Sequence, residues 1–482
     1  MQIGKGVAST AAAAWTRQGS MLVLYIVAGR MLTPDQVGVF ALSAAIVLLF
    51  EYAIFDSLSE AVVQRAVLDP SHVASVLSLS ACLAAVVASA GWLLAGPLAD
   101  AFAMPDLAGV VRATAIGVAI ICLSAAHAGI LRREARFQAI ALLAAVAAVL
   151  AAALGAALLA AGYGLRAMIA YFLCEKIVLC IGTLWLARAR PLGRISAAHT
   201  RALLPFAATI AAQRMAFYAR GQIDRVVIGL VWGAAVLGAY QIAARIFDSL
   251  QAALLSPTSK LFFVSYTRLQ GDAEQLRPMF VRSLQAVALV ALPAFLGVSA
   301  IAPEVIAVMF GEQWASSAVI LEVLGFAGVA LTLSIMSGAV LSAVGHAREF
   351  LLVEVGSALV GLTLLVFSAQ LDIAWMAAAF VLREAIAVLL YARILPKLIG
   401  LSLRTYLGSV LPALLGALVM WAVVVAAGAG PLAELSDPAR LAAGIVLGAG
   451  VYSLMMIAFG RAMIADTIAL LAPRAVVQQG GI

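Results

Sequence analysis

Charged side chains stand inside long apolar segments of this chain, where a charge is costly unless it meets protein, water or a partner. Arg17 and Glu51 lie 17 residues before and after Pro34, so two helices that turn at Pro34 would bring them to similar depth. We expect the two side chains to be neighbours. They form either a structural ion pair or a site in which Arg17 binds an anion while Glu51 holds it in place or carries a proton.

A second group of charges follows in the corresponding helix pair near the middle of the chain. Asp224 stands four residues after Arg220, and Asp248 stands three after Arg245, so each acid shares a helix face with one base. Arg214 has no acid at helical spacing and is predicted to lack a partner. An arginine fork binds two phosphate oxygens at once, so an anionic substrate group would provide that partner.

Two further segments each carry an acid and a base side by side, Glu175-Lys176 and Arg383-Glu384. Neighbours on a helix point about 100° apart, so we expect that neither pair closes on itself and that each residue pairs with another helix. Glu175 and Glu384, like Glu51, are also candidate proton carriers.

Signals for an enzyme are missing from the sequence. It contains no HExxH, GxxxxGK[ST] or GxSxG motif, its four histidines do not cluster with carboxylates, and its four cysteines form no CxxC pair. We therefore expect no catalytic residue, no metal site and no cofactor. Nucleic acid is not expected as a partner either, because the net charge of +7 is not gathered in a basic run.

The elements that must position these charges are membrane helices. The chain is 65% hydrophobic and 11% charged, whereas soluble domains are about 45–50% apolar and about 25% charged. Apolar segments of about 20 residues recur about fourteen times. The predicted fold is an all-α polytopic membrane protein with two six-helix lobes around a central cavity, over residues 1–195 and 196–400, and two further helices over 401–482.

Basic residues predict the orientation. With alternating helices and a cytoplasmic N-terminus, most Lys and Arg fall in cytoplasmic segments, and the opposite loops hold only Arg30, Arg166 and Arg440. Both termini are therefore predicted to be cytoplasmic.

The chain repeats itself at an offset of 200 residues. The block from Val37-Gly38 to Ala44 aligns with the block from Leu237-Gly238 to Ala244, and each joins the first two helices of a predicted half. Six helices return the chain to the same side, so the halves would be parallel repeats about an axis along the membrane normal, as in many transporters.

Three motifs in order resemble the polysaccharide-transporter family: Gly29 to Phe40 (GRMLTPDQVGVF), Gln222 to Gly229 followed by Leu237 to Ala243, and Ala343 to Arg348 (AVGHAR). The resemblance covers about the first 400 residues. It implies a member of the multidrug/oligosaccharidyl-lipid/polysaccharide flippase superfamily, whose polysaccharide branch moves undecaprenyl-pyrophosphate-linked oligosaccharides from the cytoplasmic to the periplasmic leaflet. Family members use cavity arginines for the pyrophosphate, a role carried onto Arg17, Arg214, Arg220 and Arg245 by depth and helix, with Glu51, Asp224, Asp248, Glu175 and Glu384 as supporting or coupling residues.

The resemblance also implies partners and a location. Lipid-linked oligosaccharide and membrane lipids would be bound by a monomer in the bacterial inner membrane, beside a polysaccharide polymerase and chain-length proteins. Alternatives are a lipid II flippase or a multidrug exporter of the same superfamily. A drug exporter would usually carry an acid on its first helix, where this chain has Arg17. A membrane glycan polymerase or ligase would need a large periplasmic loop, and no long loop is predicted.

Overall fold

The computed structural model describes residues 2–65, 68–188, 193–368 and 371–471, with the side chains of residues 2–11, 197, 198, 202, 216, 217, 219, 220 and 471 left out of the description. The described chain is helical and contains no strand. It divides into two compact units, Met1–Ile242 and Ala243–Ile482.

The first unit contains nine α-helices: α1 Gln2–Met31, α2 Pro34–Glu51, α3 Ser57–Gln64, α4 Pro70–Ala101, α5 Leu107–Cys122, α6 Ala125–Arg133, α7 Phe137–Ala160, α8 Leu165–Leu186 and α9 Ala197–Val231. Helix α1 packs on α7, which packs on α8, and α5 lies against α2, α4 and α8. Helix α9 packs on α2, α3 and α4. Helix α10, Gly233–Arg268, begins in this unit and continues into the next.

The second unit continues with α11 Ala273–Ala300, α12 Ala302–Met309, α13 Ala315–Ala343, α14 Ala347–Phe367, α15 Ile373–Ile399, α16 Leu403–Ala429, α17 Asp437–Phe459 and α18 Arg461–Leu471. Helix α11 lies between α13 and α16, and α13 in turn packs on α15. Helix α17 packs mainly on α16, and most of its surface is exposed.

Ten helical segments of the described chain are long and apolar enough to cross a membrane, and the bent pair α5–α6, which turns by 43°, makes an eleventh. Helices α1, α9 and α10 contain 30, 35 and 36 residues and are also long enough for the bilayer. Their mean hydropathy is lower because they carry charges. The protein is thus a multi-pass membrane protein, while the count of fourteen spans and the lobe boundaries at 195 and 400 stay predictions.

The turn at Pro34 has a local cause. The Thr33 hydroxyl accepts a hydrogen bond from the backbone N–H of Gln36, and the Gln36 side chain accepts one from the Thr33 N–H. This capping box satisfies N–H groups that the first turn of α2 leaves free, and Pro34 follows at the start of the helix, where it needs no N–H partner. The Leu-Thr-Pro motif therefore separates α1 from α2.

The two repeat blocks touch each other within the first unit. A Cβ atom on Gly38 would lie 1.9 Å from the carbonyl oxygen of Ala234, and one on Gly238 would lie 2.0 Å from that of Pro34. Each contact joins equivalent positions, since Pro34 and Ala234 are separated by the same 200 residues as the glycines. Reciprocal contacts of this kind are what a two-fold relation between the blocks produces, and only glycine allows so close a backbone approach.

Candidate functional site

A π-helical turn, Tyr52–Asp56, interrupts the long helical segment between α2 and α3. Such turns are rare and occur frequently at functional sites, because they widen the helix by one residue and reorient its side chains. Here the turn lies between Glu51 and Glu60 and ends at Asp56. We call Glu51, Asp56 and Glu60, which recur at intervals of five and four residues, the acidic ladder.

Each acid of the ladder is paired with a base from a different helix. Lys176 on α8 lies 2.8 Å and 2.9 Å from the two carboxylate oxygens of Glu51. Arg132 on α6 donates a 3.0 Å hydrogen bond to Asp56. Arg214 on α9 donates one to Glu60. The ladder therefore ties α6, α8 and α9 to one helical segment.

Arg17 completes the arrangement with a longer contact. Its Nε lies 4.0 Å from Glu175 Oε1 on α8, next in sequence to the Lys176 that binds Glu51. The predicted direct pair of Arg17 with Glu51 is therefore wrong. Equal distance from the turn placed both near α8, but neighbouring helices rotate each side chain toward a different partner. We call Arg17, Glu51, Glu175 and Lys176 the quartet.

The adjacent acid–base pairs behave in two ways. Glu175 and Lys176 bind different helices, as their directions on α8 predict. Arg383 and Glu384 instead close on each other, with Arg383 Nη2 3.0 Å from Glu384 Oε1, so the prediction for this pair is wrong. The long Arg383 side chain bends back because its stem packs on Gly361 of α14, where a Cβ would clash with it.

The argument that Arg214 lacks an acidic partner is also wrong, since Glu60 provides one. These residues are 154 positions apart, so no helical spacing could reveal the pair. Sequence reasoning missed Asp56, Glu60 and Arg132 for the same reason. A usable signal was present, because Glu51, Asp56 and Glu60 follow helical spacing inside an apolar segment.

Aromatic rings line the same region. The rings of Tyr52, in the π-helical turn, and Tyr218, on α9, stack with centroids 3.4 Å apart and planes 4° apart. The Arg132 guanidinium lies 5.7 Å from the ring centroid of Phe55. The π-helical turn thus presents acids and aromatic rings to the basic helices.

The remaining predicted site residues lie elsewhere or outside the described part. The Arg220 side chain is not among those described, whereas Asp224 is buried on α9. The neighbouring Arg225 donates a 3.0 Å hydrogen bond to Gln241. Arg245 and Asp248 are half-buried on α10 in the second unit, as Glu384 is on α15.

The electrostatic balance of the site limits its chemistry. Glu51, Asp56, Glu60 and Glu175 are matched by four bases: Arg17, Arg132, Lys176 and Arg214. The cluster is therefore neutral, and it can bind an anion only where a carboxylate gives up its base. The Arg17 side chain is 57% exposed, against 7% to 12% for the other three of the quartet, so an incoming anion reaches Arg17 first.

Another polar cavity, of about 200 Å³, lies in the second unit between the ends of α11, α13, α16 and α17. Glu304 and Glu322 line it, and Arg440 Nη1 lies 3.8 Å from Glu304. Arg440 also donates to three carbonyl oxygens of the α16–α17 loop, so its role there is to hold that loop. Among the described residues no group of three or more His, Cys, Asp or Glu side chains could hold a metal ion.

Sequence comparison finds relatives that match part of the chain. It is 24% identical over 314 residues to the lipopolysaccharide biosynthesis protein WzxC of Escherichia coli strain K12, covering 64% of each chain. It is 23% identical over 314 residues to the succinoglycan biosynthesis transport protein ExoT of Rhizobium meliloti strain 1021, covering 65% of this chain and 64% of the relative. The match thus spans slightly less than two thirds of the length of these relatives.

Solved structures match over more of the chain. An inward closed structure of the lipid II flippase MurJ aligns with a TM-score of 0.76 at 13% identity, covering 94% of this chain and 99% of that one. An inward-facing multidrug resistance MATE family transporter of the MOP superfamily aligns with a TM-score of 0.66 at 15% identity, covering 80% and 95%. These likenesses show the fold. The family model described as polysaccharide biosynthesis protein matches residues 26–319, which include the π-helical turn and every base of the ladder. As the Leu-Thr-Pro motif predicted, the chain belongs to the polysaccharide biosynthesis protein family and has the fold of the MOP superfamily.

Proposed function

We propose that this protein moves an undecaprenyl-pyrophosphate-linked oligosaccharide from the cytoplasmic to the periplasmic leaflet, for the assembly of a cell-surface polysaccharide. The observation that carries the proposal is the convergence of Arg17, Arg132, Lys176 and Arg214 on one helical segment within the family-matched part of a multi-pass membrane protein. The named functions of WzxC and ExoT, in lipopolysaccharide biosynthesis and succinoglycan transport, support it.

Arg17 is the proposed first contact for the pyrophosphate. It is the most exposed base of the cluster, and its 4.0 Å contact with Glu175 is the longest ion pair there. An arginine fork can bind two phosphate oxygens, which improves on a single distant carboxylate. Arg214 would take part only after Glu60 releases it, and Arg220 and Arg245 remain proposed contributors.

The acids have a matching proposed role. Glu51, Glu175 and Glu60 hold the bases in place while no substrate is bound, and exchange partners when it arrives. Asp224, Asp248 and Glu384 remain proposed supporting residues on α9, α10 and α15.

The proposed setting is the bacterial inner membrane with both termini in the cytoplasm. The protein would act as a monomer, beside a polysaccharide polymerase and chain-length proteins that take over the flipped glycan. Transport of this kind leaves the cargo chemically unchanged, so no catalytic residue is proposed.

The test is a deletion strain supplied with plasmid-borne variants. Loss of the protein should leave the lipid-linked glycan on the cytoplasmic face and abolish surface polysaccharide, and the wild-type gene should restore export. Arg17→Ala should insert at normal abundance and fail to restore export. Arg268→Ala, an exposed arginine at the end of α10, is the matched control and should behave as wild type.

Three outcomes would reject the proposal. Glycan that accumulates on the periplasmic face would indicate a polymerase or ligase. Accumulated lipid II, with the lipid-linked oligosaccharide unaffected, would identify a lipid II flippase. Unchanged lipid-linked glycans together with a gain in drug sensitivity would favour a multidrug exporter.

A further inference from the structure

The quartet links two ion pairs through one helix, and its parts are buried to different degrees. Glu175 and Lys176 are consecutive on α8, so the Arg17–Glu175 pair and the Lys176–Glu51 pair lie side by side. Three of the four side chains are at most 12% exposed, and Arg17 is 57% exposed. An anion from outside can therefore take Arg17 without entering the rest of the quartet.

Loss of Arg17 to an anion would leave a charge imbalance among the buried groups. Two carboxylates, Glu51 and Glu175, would then share one base, Lys176. Lys176 already binds both oxygens of Glu51, at 2.8 Å and 2.9 Å, and would have to abandon them to neutralise Glu175. An uncompensated buried carboxylate is strongly unfavourable, and such a group takes up a proton instead.

No other charged group stands ready to compensate. The remaining titratable side chains that interact electrostatically with the quartet are Tyr52 on the π-helical turn, Cys122 on α5 and Cys174 on α8, and their protonated forms are uncharged. Arg132 and Arg214, the next bases along the acidic ladder, are bound to Asp56 and Glu60.

We propose that binding of the substrate's anionic group to Arg17 is coupled to the uptake of one proton by Glu175. The proton comes from water and adds to a carboxylate oxygen as the Arg17 contact breaks. When the anion leaves, Arg17 returns to Glu175 and the proton is released. This inference rests on the proposed function, since it takes the pyrophosphate as the anion, and it adds the stoichiometry and the acceptor.

The test measures protons directly on the purified full-length protein in detergent micelles. The probe is a short-chain prenyl pyrophosphate with one sugar on its second phosphate, so that each phosphate keeps a single charge across neutral pH. Calorimetric titration in two buffers of different protonation enthalpy gives the protons bound per anion. Wild type should take up about one proton in the pH range where free Glu175 is ionised, and its Kd should then weaken about tenfold per pH unit.

Two variants assign the proton. Glu175→Gln removes the acceptor and should bind the probe without proton uptake. Glu51→Gln frees Lys176 to neutralise Glu175, so it should bind the probe more tightly than wild type and also without uptake. Glu354→Gln, which alters a half-buried glutamate on α14 in the second unit, is the matched control and should keep the wild-type proton count.

The results separate this inference from the proposed function. Binding by the wild type with no proton exchange, or uptake that persists in Glu175→Gln, would overturn the coupling and leave the flippase proposal standing. Tight binding with wild-type uptake in Glu51→Gln would show that Lys176 does not compensate, which also overturns it. A folded wild-type protein that does not bind the probe would reject both.

Discussion

The close crossing of the two repeat blocks can be tested with a single methyl group. Gly38→Ala would place a Cβ 1.9 Å from the Ala234 carbonyl oxygen, whereas ordinary contacts begin at 3.4 Å, so the backbones must separate by 3.4 − 1.9 = 1.5 Å. Both partners are helical backbone, so no flexible side chain can move away. Overpacking of this kind costs about 1–3 kcal/mol.

A control variant isolates the cost of the clash. Alanine in a helix interior is favoured over glycine by about 0.8–1.0 kcal/mol, and this gain partly masks the clash. Gly356→Ala, on α14, has no neighbouring atom within 4 Å and should show the gain alone. The free energy of unfolding of Gly38→Ala should therefore fall about 1–3 kcal/mol below that of Gly356→Ala.

The reciprocal geometry makes a sharper prediction for the double variant. Once Gly38→Ala has separated the helices, the Cβ of Gly238→Ala meets a wider gap, because its own contact with Pro34 needs 3.4 − 2.0 = 1.4 Å. The combined destabilisation should be close to that of one substitution, well below the sum of two. The assay is denaturant unfolding of the purified protein in mixed micelles. Equal stability of Gly38→Ala and Gly356→Ala, or full additivity of the double variant, would refute the reasoning.

Other predictions concern the ladder, the cap and the topology. Arg132→Ala leaves Asp56 without its base and should lower unfolding stability by about 1–3 kcal/mol, and adding Asp56→Asn should recover part of the loss; no recovery would show that the pair is not isolated. Thr33→Ala removes the α2 cap and should cost about 1 kcal/mol in the same assay, with Thr33→Ser nearly neutral; equal losses would contradict the capping role. Cysteines at residues 100 and 310 should be labelled from the periplasm, and those at 134 and 195 from the cytoplasm; inversion at any one of them would break the predicted helix order.

The partners of membrane-buried charges divide into those that sequence could predict and those that it could not. Glu175 and Lys176 point in different directions on α8, so helical geometry was enough to expect separate partners. The partner of Arg214 lies 154 residues away and depends on how α9 packs against α3. The closure of Arg383 on Glu384 depends on the missing side chain of Gly361 across a helix interface.

The sequence by itself determined the membrane class, the family and the turn at Pro34. Composition, apolar segment length and a capping motif are local properties, and they act whatever the rest of the chain does. Tertiary structure alone decided which base meets which acid, since an ion pair needs an approach of a few ångströms while the depth argument fixes only position along a helix. Helix rotation, the π-helical turn at Tyr52–Asp56 and the packing of α8 and α9 set that approach. These features convert four separate charges into the quartet and make Arg17 its exposed member.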